Sequence, residues 1–312
     1  MDRRKFLIAG SAGIVGALAG STILRSATVA STSLRSRILN SLGARFSGTA
    51  FAAPPPLTEK VAASDTVELG KTGIRTSRLA MGTGTVGSGH HSNQTALGIK
   101  GLPALLLNGY DHGLRFFDSA DTYGSHPHVA EALKHVRRDQ VTVLTKTFSR
   151  DPKSARADLD RFRRELGVEY IDICLMHCLT EADWTERFKG VMDVLSEAKE
   201  KGIIRAHGCS CHSIQALRAA ALSPWVEVDL ARINPVGSHM DASPEEVAGV
   251  LREMKAAGKG VIGMKILGQG DLRSRVDDAL RYALSLGVLD AFTIGAESKG
   301  EQEDLIRRIA AA

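Results

Sequence analysis

Several features that would define other protein classes are missing from this sequence. Aromatic residues make up 5% of the 312 residues, and there are only 4 cysteines. The chain has no internal repeat, no heptad array and no series of long apolar spans, which argues against a solenoid, a coiled coil and a polytopic membrane protein. Its 43% hydrophobic and 24% charged content also excludes wholesale disorder. A globular protein of one large or two ordinary domains remains.

The body of the chain also lacks an excess of positive charge. The net charge is +5, but seven basic residues and one acid fall within the first 52 residues. That segment therefore carries +6, and residues 53–312 carry −1. Proteins that bind nucleic acids concentrate Lys and Arg to neutralise phosphates. We therefore expect no nucleic-acid partner.

Residues 1–52 are predicted to be an export signal. Arg3 and Arg4 stand side by side, and a mildly apolar, Gly-rich and Ala-rich stretch follows over residues 6–24. This order resembles a twin-arginine signal peptide. The expected partner is the twin-arginine translocation machinery, and the expected location is periplasmic or otherwise extracytoplasmic.

The sequence offers two positions at which the signal could be cleaved. Residues 50–52 read Ala-Phe-Ala, a pattern typical of a cleavage site, while cleavage after Ala30 is an alternative. An uncleaved signal would instead anchor the protein in a membrane. The first cysteine of the chain is Cys174, which excludes a lipoprotein. Residues 53–65 contain three consecutive prolines and are predicted to be a linker.

Residues 66–312 are predicted to form an α/β structure in which strands and helices alternate. A small hairpin is expected first, over residues 67–78. Short apolar runs typical of parallel strands buried on both faces then occur at 79–83, 115–120, 141–146, 171–177, 204–210, 226–233, 261–267 and 291–295. Amphipathic segments of helical length lie between them. Eight such units favour a closed (β/α)8 TIM barrel over an open doubly wound sheet, and no G-x-G-x-x-G motif opens the first helix.

Ionisable residues stand at the ends of three neighbouring strands. Asp118, Lys146 and His177 each close a buried apolar run, and Tyr123 follows Asp118 in a short loop. Because catalytic groups of such barrels lie at the carboxyl ends of the strands, these four side chains are expected to converge. A lysine ammonium lowers the pKa of an adjacent tyrosine, and a carboxylate holds that lysine charged. The set predicts a proton donor beside a polarised carbonyl, which suits hydride transfer from a dissociable cofactor.

These residues stand in segments that resemble the aldo-keto reductase family. The matching segments are 69–73, 113–124, Lys146, 170–177 and 202–210, and the resemblance spans roughly residues 67–302. It implies a carbonyl reductase or alcohol dehydrogenase that uses NADP(H), or less often NAD(H), without a metal. By the same resemblance Tyr123 is the proton donor, Asp118 and Lys146 tune it, and His177 orients a small carbonyl or alcohol substrate.

The resemblance also implies a cofactor site, although this chain departs from the family pattern there. The implied cofactor-binding residues are Gly82, Thr83, Ser210, Lys265, Gly268, Gly295, Ser298 and Gln302. Cys211 replaces the asparagine that often follows the serine, and Met264 stands where a stacking tyrosine is common. Residues 227–232 contain no glutamine for the nicotinamide amide. The choice between NADP and NAD therefore stays open.

Two rival functions remain open at this point. One is a barrel that keeps the site but acts as a weakly catalytic binding or regulatory protein. The other is a metal-dependent enzyme whose ligands would be Cys178, Cys211 and His212, with His126 as a further candidate. The chain has no C-x-x-C pair, and a disulfide between the cysteine-bearing strands is a further alternative.

Overall fold

The computed structural model describes residues 59–312. The predicted export signal and most of the predicted linker lie outside the described residues. The end of that linker is tied to the barrel, because the carbonyl oxygens of Ala63 and Asp65 accept hydrogen bonds from the amides of Leu79 and Arg78. Within residues 59–312, no helix is both long enough and apolar enough to cross a bilayer.

A two-stranded antiparallel hairpin comes first, as predicted. Strand β1 (Thr66–Glu68) pairs with β2 (Arg75–Ser77). The turn between them carries Leu69 and Ile74, which are both fully buried and belong to the hydrophobic cluster inside the barrel. Gly70 has a φ of +53°, and a Cβ there would lie 2.3 Å from the amide nitrogen of Gly260. The turn therefore sits tightly against the amino end of a barrel strand and forms the floor of the barrel.

Eight parallel strands form the closed barrel that the sequence predicted. They are β3 (Leu79–Gly82), β4 (Phe116–Asp118), β5 (Thr142–Thr147), β6 (Ile171–Leu179), β7 (Ile204–Cys211), β8 (Val228–Arg232), β9 (Gly260–Met264) and β10 (Ala291–Ile294). Each pairs with its sequence neighbours, and β10 pairs with β3 to close the ring. Every predicted run overlaps one of these strands, which confirms the fold class.

Helices cover the outside of the strands. They are α1 (Gly98–Asp111), α2 (His126–Leu133), α3 (Pro152–Leu166), α4 (Trp184–Arg187), α5 (Lys189–Glu200), α6 (Ile214–Leu222), α7 (Pro244–Ala256), α8 (Val276–Ser285) and α9 (Lys299–Ala311). Side-chain caps fix several starts: the Ser243 hydroxyl accepts from the Glu246 amide at the start of α7. Gly167 ends α3 with a φ of 65°, a left-handed conformation that favours glycine.

The strands separate two apolar layers. Side chains such as Leu144, Ile173 and Leu230 fill the barrel interior, whereas Cys209 and Leu251 belong to the larger layer between strands and helices. Burial of each large aliphatic side chain contributes about 1.5–3 kcal/mol to folding. This packing fixes the strand ends that carry the polar residues described next.

Candidate active site

A buried ion pair joins two neighbouring strands at the carboxyl end of the barrel. The Lys146 ammonium on β5 donates to Asp118 Oδ1 at 2.5 Å and to the carbonyl oxygen of Ser119 at 2.8 Å. The Thr293 hydroxyl on β10 donates to Asp118 Oδ2 at 2.8 Å. The Lys146 side chain is 0% exposed. A buried charge is tolerable only when it is paired and hydrogen-bonded, and both charges here meet that condition.

The surroundings of Lys146 keep it protonated. Burial lowers the pKa of the ammonium, but the Asp118 carboxylate and the Tyr123 phenol act in the opposite direction, and the net pKa is raised. The lysine is therefore a fixed positive charge in a site from which water is largely excluded.

Tyr123 lies directly beside this charge. It ends the 3₁₀ turn Asp121–Tyr123 that follows β4, and Lys146 Nζ is 4.8 Å from the centre of its ring. Two glycines form a slot for the ring: a Cβ on Gly84 would lie 2.1 Å from a ring carbon, and a Cβ on Gly87 would lie 2.4 Å from another. The slot holds the phenol over the lysine. The sequence showed only that the spacing of these glycines does not match a G-x-G-x-x-G motif, and it did not indicate this role.

Two opposing effects set the pKa of Tyr123. Burial raises it, and the charge and hydrogen bonding of Lys146 lower it. The lysine acts in the direction expected from the sequence, but burial outweighs it and the net pKa is raised. In this structure the phenol is therefore protonated at neutral pH, as a proton donor must be.

His177 completes the predicted set from strand β6. Its ring centre is 5.7 Å from that of Tyr123, and the two planes meet edge to face at 84°. The pKa of the imidazole is well below its ordinary value, first because the ring is buried and then because Lys146 and Arg150 bring positive charge near it. A neutral imidazole at this position can hydrogen-bond a carbonyl or hydroxyl oxygen without adding charge.

A second polar and aromatic group surrounds His177 at the mouth. Cys178 Sγ lies 3.4 Å from His212 Nε2, and the His212 ring centre is 6.4 Å from that of His177. Phe148 is 50% exposed and meets His177 edge to face. Arg150 donates to the carbonyl oxygen of His177 at 2.6 Å, which steadies the backbone at this strand end.

A charged network behind the site fixes the turn that carries Tyr123. Arg161 on α3 donates to both Asp121 carboxylate oxygens, at 2.7 and 2.9 Å, and also contacts Asp158 and Glu165. Bidentate pairs of this kind restrict geometry as well as adding energy. Sequence reasoning missed Arg161, because nothing in an amphipathic helix distinguishes one arginine from the others.

His126 belongs to this network. It is buried, with Nδ1 2.7 Å from a Glu165 oxygen and Nε2 2.7 Å from the Thr145 hydroxyl. Burial lowers the pKa of the ring, and Glu165 opposes that effect. Both ring nitrogens thus have protein partners. One of these partners, Thr145, immediately precedes Lys146 on β5.

The residues predicted to bind the cofactor lie at the carboxyl ends of four strands, on the same face as Tyr123. The Thr83 hydroxyl donates to the Asp118 carbonyl oxygen at 2.9 Å and can accept from the Ser125 hydroxyl at 2.8 Å, so it already has internal partners. Gly82 ends β3, and Gly295 follows β10. A Cβ on either glycine would lie within 3 Å of a neighbouring side-chain atom. These three residues close the seam between the first and last barrel strands.

The remaining predicted cofactor residues surround the ends of β7, β9 and β10. The buried Ser210 hydroxyl accepts from the Cys178 amide at 3.3 Å, and Lys265 donates to Gln269 at 2.7 Å. Gly268 begins a 3₁₀ turn beyond β9. Ser298 caps α9 by accepting from the Glu301 amide at 3.2 Å, and the buried Gln302 accepts from Asn108 on α1 at 3.0 Å. Their binding roles stay predictions.

The thiols are arranged differently from the metal hypothesis made on the sequence. All four cysteines are free. Cys178 contacts His212, whereas Cys211 lies with Cys209 and Asp229 in a separate, fully buried group. The two histidines of that hypothesis have different partners. His212 contacts Cys178, whereas His126 contacts Glu165 and Thr145.

Comparison with known proteins supports one family. Residues 78–286 match the family described as the aldo/keto reductase family. The NADH-specific methylglyoxal reductase of Escherichia coli is 29% identical over 167 residues, which cover 46% of this chain and 51% of that protein. The NADPH-dependent D-xylose reductase of Meyerozyma guilliermondii is 34% identical over 80 residues, covering 23% and 25%. The matched part of the chain thus spans about half or less of these curated relatives.

A solved structure supports the architecture over a longer range. The holo-form aldo-keto reductase of Bacillus halodurans superposes with a TM-score of 0.66, covers 80% of this chain and 91% of its own, and is 17% identical. At that identity the likeness concerns the fold.

Proposed function

The chain belongs to the aldo/keto reductase family, and on that premise we propose that it reduces aldehyde or ketone carbonyls to alcohols, or catalyses the reverse reaction, with NADPH or NADH. One observation carries the proposal. A protonated Tyr123 lies beside the buried Lys146–Asp118 pair and the neutral His177, at the mouth where a substrate would enter.

The four residues divide the acid–base work. His177 orients the carbonyl oxygen of the substrate toward the Tyr123 hydroxyl. As negative charge develops on that oxygen, Tyr123 gives up its proton and becomes a phenolate. The Lys146 ammonium stabilises the phenolate at short range, and Asp118 keeps the ammonium in place. In the oxidative direction the phenolate takes the proton from an alcohol.

The donor groups around the mouth fit a nicotinamide dinucleotide. When bound, that cofactor would supply or accept the hydride. The Ser210 hydroxyl at the end of β7 suits the carboxamide, and the Lys265 ammonium at the end of β9 suits the phosphates. The amino end of α9, where Ser298 forms the cap, suits a further anionic group. Gly268, Gly295, Gly82 and Thr83 would shape the same face.

We expect the purified protein to bind at least one reduced nicotinamide nucleotide with micromolar affinity. The measurement is a fluorescence titration with NADPH and, separately, with NADH. The Lys265→Met variant should weaken binding, because it removes a cation proposed to face the phosphates, while the exposed Lys189→Met change should not. Absence of binding for both nucleotides would contradict the reductase proposal and favour a binding or regulatory barrel.

The relatives indicate which substrates to assay first. One relative is described as a methylglyoxal reductase and the other as a D-xylose reductase, so small aldehydes of both kinds are the natural candidates. The half-exposed Phe148 and the polar His212 near His177 offer one apolar and one polar surface at the mouth. This pairing suits short substrates that carry a second oxygen next to the carbonyl.

We also propose that residues 1–52 direct export by the twin-arginine route. Replacing Arg3 and Arg4 with lysine should keep the protein in the cytoplasmic fraction, because this change retains the charge but removes the arginine pair. Cell fractionation followed by immunoblotting measures the distribution, and the Arg35→Lys variant is the control. Unchanged export of the double variant would contradict the proposal.

A further inference from the structure

A compact set of soft and acidic ligand atoms lies outside the candidate active site. Cys209 and Cys211 are two residues apart on β7, so their side chains point to the same side of the strand. Asp229 lies directly opposite Cys209 on the adjacent strand β8. All three residues are 0% exposed, and one ligand atom of each lies within 4.8 Å of the other two.

One oxygen in this group has no partner among residues 59–312. Asp229 Oδ1 is 3.5 Å from Cys209 Sγ, but Asp229 Oδ2 is buried and makes no hydrogen bond within this range. The nearby Lys259 ammonium donates to the carbonyl oxygens of Ser223 and Val226 instead. Leaving a buried carboxylate oxygen unpaired is costly, so a native structure with such a group calls for an unseen partner.

Two of the three distances between these atoms match a tetrahedral zinc ion, and the third is below 4.8 Å. With Zn–S at about 2.3 Å and Zn–O at about 2.0 Å, tetrahedral geometry puts two sulfurs about 3.8 Å apart and a sulfur and an oxygen about 3.5 Å apart. The structure has Cys209 Sγ and Cys211 Sγ 3.9 Å apart and Cys209 Sγ and Asp229 Oδ1 3.5 Å apart. A disulfide would need about 2.05 Å between the sulfurs, so the spacing favours a shared ion over a bond.

A second buried carboxylate is attached to the strand that carries Asp229. The Asp241 side chain is 0% exposed and pairs through one oxygen with Arg232, which lies on β8. Its other oxygen has no hydrogen-bond partner among residues 59–312. Asp241 or a water molecule is the candidate for the fourth position.

We propose that Cys209, Cys211 and Asp229 form a structural zinc site between strands β7 and β8. The ion binds the two sulfurs as thiolates, so its binding displaces two thiol protons to solvent, and the carboxylate completes the three protein ligands. Complete burial fits a structural role, because a catalytic zinc keeps a position open to substrate. The site ties the carboxyl end of β7 to the first residues of β8, next to Ser210.

The test uses the full chain folded with Zn²⁺ present and freed of loose metal by gel filtration. We expect one zinc per chain by elemental analysis, and we expect Co²⁺ loaded in its place to show thiolate charge-transfer absorption with tetrahedral d–d bands. Cys209→Ser and Asp229→Asn should each weaken metal binding by more than the roughly 10- to 100-fold that loss of an outer-shell partner costs. Cys174→Ser is the matched control, because Cys174 is equally buried but on β6.

Three outcomes would overturn the proposal. The first is wild-type protein without zinc and with no thiolate bands after Co²⁺ loading, a result that does not depend on how well a variant folds. The second is equal metal loss in the Cys209→Ser and Cys174→Ser proteins. The third is metal that survives Cys209→Ser but is lost in Cys178→Ser, which would assign it to the Cys178–His212 pair at the mouth.

Discussion

Replacing Tyr123 with phenylalanine is expected to lower kcat for carbonyl reduction by about 10²- to 10⁴-fold, the range that a positioned acid contributes. The change removes one hydroxyl and keeps the ring, which still fills the slot formed by Gly84 and Gly87. Nucleotide affinity should therefore stay within a few-fold of wild type. Steady-state kinetics with a small aldehyde and a fluorescence titration with NADPH measure the two quantities separately.

The Tyr110→Phe variant is the matched control for this experiment. Tyr110 is on α1, and its hydroxyl donates to Gln140 away from the site. Its replacement should therefore leave both kcat and the affinity for NADPH unchanged. If Tyr123→Phe kept more than about a tenth of wild-type kcat, another group would have to donate the proton. That result would contradict the role assigned to Tyr123 while leaving the cofactor proposal intact.

Replacing Lys146 with methionine should damage both turnover and stability. The variant leaves the Asp118 carboxylate buried with Thr293 as its remaining side-chain partner. Breaking a buried pair by removing one charge costs about 3–5 kcal/mol. For a barrel of this size such a loss corresponds to a Tm lower by about 10 °C. Turnover should fall as well, because no positive charge would stabilise the Tyr123 phenolate.

Two further variants separate the electrostatic cause from a packing defect. The exposed pair Lys189–Asp193 is 69% and 62% exposed, so Lys189→Met should leave Tm within about 2 °C of wild type. Adding Asp118→Asn to Lys146→Met removes the buried carboxylate that has lost its lysine partner. The double variant should therefore recover part of the decrease in Tm without recovering turnover. Differential scanning calorimetry measures all of these midpoints. If the Lys146→Met protein were as stable as the Lys189→Met protein, the buried Lys146–Asp118 pair would not contribute to stability as expected.

The fold could be predicted because the barrel strands are buried on both faces. Each strand then appears in the sequence as a short apolar run, and the helices appear as amphipathic segments between the runs. Asp118, Lys146 and His177 could be found for a related reason, since an ionisable residue that ends an apolar run is costly unless it has a partner. The structure brings these three together with Tyr123, as the order of the strands implied.

Contacts across strands and helices were harder to predict. The sequence hypothesis placed Cys178 with Cys211 as metal ligands, but strand β6 is irregular between Met176 and Leu179, and Cys178 has a φ of +56°. That irregularity presents Cys178 to His212 at the mouth, whereas Cys211 follows the regular alternation of β7 into the outer layer. Periodicity alone does not reveal such a bulge.

The hairpin floor has a kinetic consequence. Leu69 and Ile74 fill the amino end of the barrel, so within residues 59–312 the polar groups at the carboxyl end are reached from one side. The nucleotide and the carbonyl compound of the proposed reaction would then enter through the same opening. The ligand that occupies the deeper part of the site would bind first and leave last, so that ligand release rather than the chemical step would limit turnover.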